Sequence, residues 1–144
     1  MEPYKHIVQY YETDRMGITH HSNYIRWMEE ARVDFLEQIG WGYEKLEREG
    51  IVSPVTAIDC RYKASTTFPD EVEIRVSVSG FRGVVLKIHY RMTKQDGTEV
   101  FEGHSEHCFL DRNGKIVRLG RQFPEFSAAL RSFLPDGGGR EAGS

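Results

Sequence analysis

The stretch that decides the fold is Gln9 to Gly40, QYYETDRMGITHHSNYIRWMEEARVDFLEQIG. Its first half, Glu12 to Asn23, is polar and turn-prone. Its second half carries the longest helical pattern in the chain, about Ser22 to Ile39. Tyr24, Trp27, Met28, Ala31, Phe35 and Ile39 recur on the helical period and form one apolar stripe. Arg26, Glu29, Glu30, Asp34 and Glu37 take the opposite side. Ile25, Val33 and Leu36 lie off the stripe, so the helix is expected to be covered on more than one side. Ser22 or Asn23 suits the first turn as a cap, and Gly40 suits a left-handed ending. A loop with carboxylates and two histidines thus runs straight into a helix N-terminus, whose exposed amides favour negative charge.

Working outward, Tyr4 to Tyr11 on the N-terminal side is aromatic and β-branched and reads as a strand. On the C-terminal side, Tyr43 to Glu49 reads as a short helical turn closed by Gly50. The period then changes to two. Ile51 to Tyr62 is a strand interrupted near Ser53-Pro54, because proline donates nothing to a ladder. Lys63 to Asp70 is a connection. Glu71 to Val78 alternates without a break, the pattern of a half-buried strand. Gly80 to Gly83 is a turn, Val84 to Met92 another strand, and Asp96-Gly97 a hairpin signal. Thr98 to Leu110 is a long strand, Asn113-Gly114 a tight turn, and Lys115 to Leu119 a short edge strand. Phe123, Phe126, Leu130 and Phe133-Leu134 indicate a last amphipathic helix. Strand, long helix and antiparallel meander together define an α+β fold. The sheet's second face, with Arg75, Lys87, His89 and Arg91, is wet or meets a polar partner.

At 144 residues the chain reads as one domain, 1–134, with a disordered tail over Pro135 to Ser144 that is poor in apolar side chains. Apolar residues make up 39% and charged residues 28%, ordinary for a soluble globular protein. A net charge of -3, with no basic run, argues against a nucleic-acid partner. No apolar stretch reaches the length of a membrane span. The start MEPYKHIVQYY lacks the charged head and apolar core of a signal peptide. Cys60 and Cys108, without C-x-x-C spacing, read as reduced thiols of a cytoplasmic protein.

Tyr11-Glu12-Thr13-Asp14, Gly17, His21, Tyr24, Trp27, Glu29 and Ala31-Arg32 resemble the signature of the 4-hydroxybenzoyl-CoA thioesterase family, whose members have the hotdog fold. Tyr62 and Asp70-Glu71-Val72 are similar to that family's entry into the second half of its sheet. The resemblance spans about Tyr4 to Leu119 and agrees with the element order read from periodicity alone. It departs at Glu12, where the family has Asp, but the charge is kept. The resemblance implies an antiparallel sheet wrapped around one long central helix. It implies a homodimer with sites at the subunit interface, often a dimer of dimers, acting on acyl-CoA, with an acyl-carrier-protein thioester as the other possible substrate form.

Thioester hydrolysis needs an activated water or nucleophile, and a group that stabilises negative charge on the carbonyl oxygen. By the resemblance, Asp14 is the catalytic carboxylate, as general base or nucleophile. The backbone N–H at His21 polarises the carbonyl; losing such a donor costs about 3 kcal/mol in the barrier. Gly17 permits the tight turn between them. The His21 imidazole is a candidate for orienting loop or substrate, and Tyr24 and Trp27 are candidates for the acyl pocket.

Each residue also has a plainer reading. Asp14 alone would be a turn residue, His20 and His21 surface loop residues, and Tyr24 and Trp27 core. Glu12 is expected to support the loop by hydrogen bonding. Glu30 is a second candidate acid, because a related hotdog group uses a helical Glu. No cofactor is expected beyond the coenzyme A carried by the substrate. Its phosphates need cations, for which Arg61, Lys63, Arg82, Arg118 and Arg121 are available in or beside loops. A metal site is not expected: His20 and His21 diverge, His104 and His107 fall on opposite faces of a strand, and His6 and His89 have no evident partner. A hydratase or dehydratase would place its His before its acid, whereas here the acid comes first. A non-catalytic acyl-thioester-binding protein would not need Asp14.

Overall fold

The computed structural model describes residues 1–135. The reading of a disordered tail therefore falls, beyond Pro135, outside the described residues. In order, the elements are β1 (Tyr4–Ile7), α1 (Ser22–Gln38), α2 (Tyr43–Glu49), β2 (Val55–Tyr62), β3 (Glu71–Arg82), β4 (Val85–Lys94), β5 (Glu99–His107), α3 (Leu119–Gln122) and α4 (Pro124–Arg131). The strands form one five-stranded sheet in the order β1-β3-β4-β5-β2. β1 runs antiparallel to β3 with Tyr4 opposite Ile74 and Ile7 opposite Glu71. The short connections β3–β4 and β4–β5 allow only antiparallel pairing. The class is α+β, as expected.

By packing density the chain divides into two compact units. The first comprises 1–35, 59–76 and 90–103. Here the stripe of α1 is buried through Tyr24, Trp27, Met28, Ala31 and Phe35, together with Val72, Ile74, Tyr90, Met92, Val100 and Phe101 of the strands. Tyr24 stacks on Phe101 with centroids 5.3 Å apart. The second unit comprises, among the described residues, 36–58, 77–89 and 104–135. Its core is aromatic: Trp41 stacks on Phe126 at 4.5 Å, and Phe109 meets Phe126 edge-on at 5.6 Å. Lys45 lies 4.0 Å over the Trp41 ring. In this unit Gly40, at φ +86°, turns the end of α1 so that the Trp41 N–H reaches the Leu36 carbonyl.

Several boundaries differ from the reading of the sequence, each for a local reason. β1 stops at Ile7, because the Glu12 carboxylate folds back to accept the Gln9 N–H at 2.8 Å and winds Tyr10–Glu12 into a 3-10 turn. β3 runs on to Arg82 instead of turning at Gly80, with Phe81 buried. Lys115 to Leu119 forms no strand beyond a single Leu110–Ile116 bridge, and the chain turns helical at Leu119. Ser22 and Asn23 do not cap α1 as acceptors. The His20 imidazole Nδ1 accepts the Ser22 N–H at 3.3 Å, and the Asn23 side-chain amide donates back to the Glu12 and His20 carbonyls at 3.0 and 3.3 Å. Off the stripe, Leu36 is buried, but Ile25 and Val33 are exposed.

Candidate active site

The loop from Thr13 to His21 is tied at both ends. Thr13 and Thr19 form an antiparallel bridge, and the Asp14 N–H donates to the Ile18 carbonyl at 2.8 Å. The tip turns at Gly17, whose φ of +81° is a left-handed conformation that other residues resist. The Thr67 hydroxyl donates to the Gly17 carbonyl at 2.6 Å and so anchors the tip to the β2–β3 connection. Beneath the loop lies a buried set of hydroxyls. Thr19 Oγ1 and Thr66 Oγ1 are 2.6 Å apart, and Tyr24 Oη is 2.9 Å from the same Thr66 oxygen. Burial pushes the Tyr24 phenol up, and its bonds to Thr66 oppose that only in part.

Asp14 sits half-buried at the start of this loop. One of its oxygens accepts the Met16 N–H at 2.8 Å, a turn bond. Among the described residues nothing occupies its other oxygen. At the far end of the loop the His20 N–H donates to the Glu12 carbonyl at 2.8 Å. The next amide, that of His21, has no acceptor among the described residues. It stands immediately before the first residue of α1, with the partial positive charge of the helix start behind it. The His21 carbonyl accepts the Tyr62 hydroxyl at 3.3 Å. Tyr62 also packs edge-on against the His21 ring at 6.0 Å and the Tyr24 ring at 5.4 Å. Burial, followed by its contact with Cys60, pushes the Tyr62 phenol up to about 12.

Behind the loop is a polar network. Glu12 is only 5% exposed and takes three donors or polar hydrogens. Its Oε1 accepts the Gln9 N–H and lies 2.9 Å from His6 Nε2, and its Oε2 accepts the Trp27 indole N–H at 2.9 Å. Burial alone would raise the Glu12 carboxyl, but the Gln9, His6 and Trp27 bonds outweigh it and hold it below the ordinary range. His6 Nδ1 lies 3.1 Å from Glu30 Oε1, which also accepts the Tyr4 hydroxyl at 2.8 Å. Burial and then the Glu30 carboxylate push the Tyr4 phenol up to about 12. Glu12 thus supports the loop as expected, whereas His6, read as lacking a partner, has two carboxylate partners and packs at a tilt of 35° against Trp27 with centroids 4.6 Å apart.

The structure therefore gathers Asp14, Gly17, His21 and Tyr24 around one loop and helix start, with Trp27 against Tyr24 at 4.7 Å, and it gives Trp27 and Lys63 polar partners of their own. Trp27 is fully buried with its N–H committed to Glu12. Lys63 Nζ lies 3.1 Å from both Glu99 and Glu102, and Arg91 reaches the same two carboxylates at 2.8 and 3.6 Å. In the second unit, Arg118 and Arg121 line a pocket of about 520 Å³ with Val84, Ile116 and Gln122. His104 and His107 fall on opposite faces of β5, His104 half-exposed and His107 buried, while His89 packs against His104 at 4.9 Å. Among the described residues no cluster of three or more His, Cys, Asp or Glu has metal-site geometry.

Residues 8–134 match the family model described as the thioesterase-like superfamily. A DHNA-CoA thioesterase from Staphylococcus aureus superposes with TM-score 0.84 at 31% identity, covering 89% of this chain and 87% of that one. A gentisyl-coenzyme A thioesterase superposes with TM-score 0.77 at 27% identity, over 83% of this chain and 97% of that one. The Escherichia coli acyl-CoA thioester hydrolase YbgC is 26% identical over 91 residues, 63% of this chain and 68% of that protein. The chain belongs to the thioesterase-like superfamily. It has the hotdog fold and is a thioester hydrolase. No helix among the described residues is long and apolar enough to cross a membrane.

Proposed function

We propose that the protein hydrolyses an acyl-CoA to the free acid and coenzyme A at the Asp14–His21 loop. The observation that supports this reading is the His21 N–H at the start of α1, without an acceptor among the described residues, on the loop that also bears an Asp14 carboxylate with one oxygen unbonded among them. An oxyanion developing on the thioester carbonyl would gain a backbone donor and the helix field together. Asp14 acts as general base on water or as nucleophile. Gly17 sets the turn between the two, and Tyr24 with Tyr62 forms the aromatic wall nearest them. The acyl-CoA thioesterase names of relatives support the substrate class. Cation partners for the coenzyme A phosphates are drawn from the arginines rather than from Lys63, which the carboxylates of Glu99 and Glu102 already engage.

The working unit is proposed to be a homodimer or a dimer of dimers in the cytoplasm. β2 is an edge strand exposed along most of its length, and exposed Ile25 and Val33 project from α1. The test of the activity is thiol release from a panel of aromatic, short and long acyl-CoAs by wild type and by Asp14→Asn. The amide keeps the shape and the Met16 bond but loses the basic oxygen. The expected result is turnover lower by about 10² or more in the variant. Near wild-type turnover in Asp14→Asn would overturn the assignment, and release from no substrate in the panel would favour a non-catalytic binding protein.

A further inference from the structure

His6 is a residue of the first unit whose bonding the proposed chemistry does not use. It stands on β1 with one ring nitrogen 2.9 Å from Glu12 and the other 3.1 Å from Glu30, and its ring packs on Trp27. Of these, Glu12 is the hub. Its side chain is gripped by β1 through His6 and Gln9 and by α1 through Trp27. Its backbone carbonyl accepts the His20 N–H at 2.8 Å and the Asn23 side chain at 3.0 Å. So one residue couples the end of β1, the interior of α1 and the amide that precedes His21. With His6 absent, the Glu12 carboxylate would keep two donors and could swing about the line joining them. Its carbonyl would swing with it, and so would the Thr19–His20 peptide whose N–H it accepts and the Asn23 amide that bridges it to the His20 carbonyl of the His20–His21 peptide.

We propose that His6 is a positioning residue for thioester hydrolysis: through Glu12 it fixes the orientation of the His21 N–H at the start of α1. This rests on the role proposed above for that N–H. The bond that matters is Nε2 to Glu12; the Nδ1 bond to Glu30 only orients the ring. The two can be separated by amide substitutions. His6→Gln places an amide nitrogen where Nε2 stands, and His6→Asn places one where Nδ1 stands. His6→Phe keeps an aromatic ring against Trp27 and bonds to neither acid.

Kinetics on the full chain should therefore split the series. His6→Phe and His6→Asn are expected to lose about 10-fold or more in kcat with KM within twofold, since a small misplacement of a donor acts on the transition state. His6→Gln should keep most of kcat. Phe126→Leu, a core variant in the second unit with comparable loss of Tm, should keep kcat. The second readout is amide hydrogen exchange at His20, whose N–H is held by the Glu12 carbonyl. Exchange should be about 10-fold faster in His6→Phe and His6→Asn and unchanged in His6→Gln. Equal kcat in the Gln and Asn variants would overturn the proposal, as would a kcat within twofold of wild type in His6→Phe, or an equal loss in Phe126→Leu. If the wild type hydrolyses no acyl-CoA, the proposed function fails on its own account. The exchange series still decides whether His6, through the Glu12 carbonyl, holds the Thr19–His20 peptide next to the His21 N–H, and unchanged His20 exchange in His6→Phe refutes it.

Discussion

Replacing Glu12 with Gln changes one atom and should be among the most damaging isosteric substitutions in the chain. The carboxylate is 5% exposed and serves as acceptor for the Gln9 N–H, the Trp27 indole N–H and His6. An amide has one acceptor oxygen. If that oxygen stays with Gln9 and His6, the amide nitrogen confronts the Trp27 N–H, and a fully buried donor loses its partner, at a cost of about 1–3 kcal/mol. The two remaining bonds lose their charge assistance, about 1 kcal/mol each. With allowance for non-additivity, Glu12→Gln should destabilise by roughly 3 kcal/mol, about 10 °C in Tm for a chain of this size. Urea unfolding at neutral pH with an unchanged m-value is the direct assay. The acid side gives an independent check. The Glu12 carboxyl is held below its ordinary 4.5 in the folded protein, so it binds its proton less tightly folded than unfolded. Its stabilisation is complete above that unfolded value and is lost as pH falls through the lower folded one. Glu12→Gln should remove that part of the acid slope. A loss below about 1 kcal/mol, with the acid slope intact, would refute the idea that the carboxylate ties β1 to α1.

Two further outcomes are expected. Sedimentation at micromolar concentration should give at least twice the 16.6 kDa chain mass, and a fully active species at the single-chain mass would refute the proposed dimer. Tyr24→Phe removes the 2.9 Å bond to Thr66 while leaving the ring on Phe101, and should cost about 1 kcal/mol in urea unfolding; no loss would mean that the buried hydroxyl set carries no stability.

The fold was legible because its signals are periodic. The stripe from Tyr24 to Phe35 and the alternation of Glu71 to Val78 each bury the face that their period marks. What was not legible depends on side chains that act across the fold. Nothing in the run Tyr4 to Tyr11 announces that the strand stops at Ile7, because the cause is the Glu12 carboxylate bending back to Gln9. His6 looked solitary because its partner Glu30 is 24 residues away on α1, and its other partner, Glu12, reaches it only because the chain turns back after Ile7. Trp27 was read as wall or core on equal terms. In the fold its ring is fully buried and its N–H donates to Glu12, a bond that the sequence does not announce. The Lys63 position was legible as a cation near the end of a strand, but its capture by Glu99 and Glu102 requires the register of β5 beside it.

The sharper question is why three acids close in sequence or space, Glu12, Asp14 and Glu30, should have different roles. Charge and spacing do not separate them, but their surroundings do. Glu12 meets Gln9, His6 and Trp27, and a carboxylate held that firmly in its charged form is a poor proton acceptor. Glu30 has one oxygen bonded to Tyr4 and facing His6, which ties it to the far side of the same network. Among the described residues the Asp14 carboxylate has a single backbone donor and one oxygen unbonded. A base needs an available lone pair more than it needs burial, so the least engaged of the three acids is the one suited to activating water or attacking a thioester. The Glu12 that replaces the family's Asp has one more methylene with which to reach both His6 and Trp27 from a backbone position two residues before Asp14. The departure from the family pattern is thus at Glu12, which bonds Gln9, His6 and Trp27, and not at Asp14, the acid proposed for catalysis.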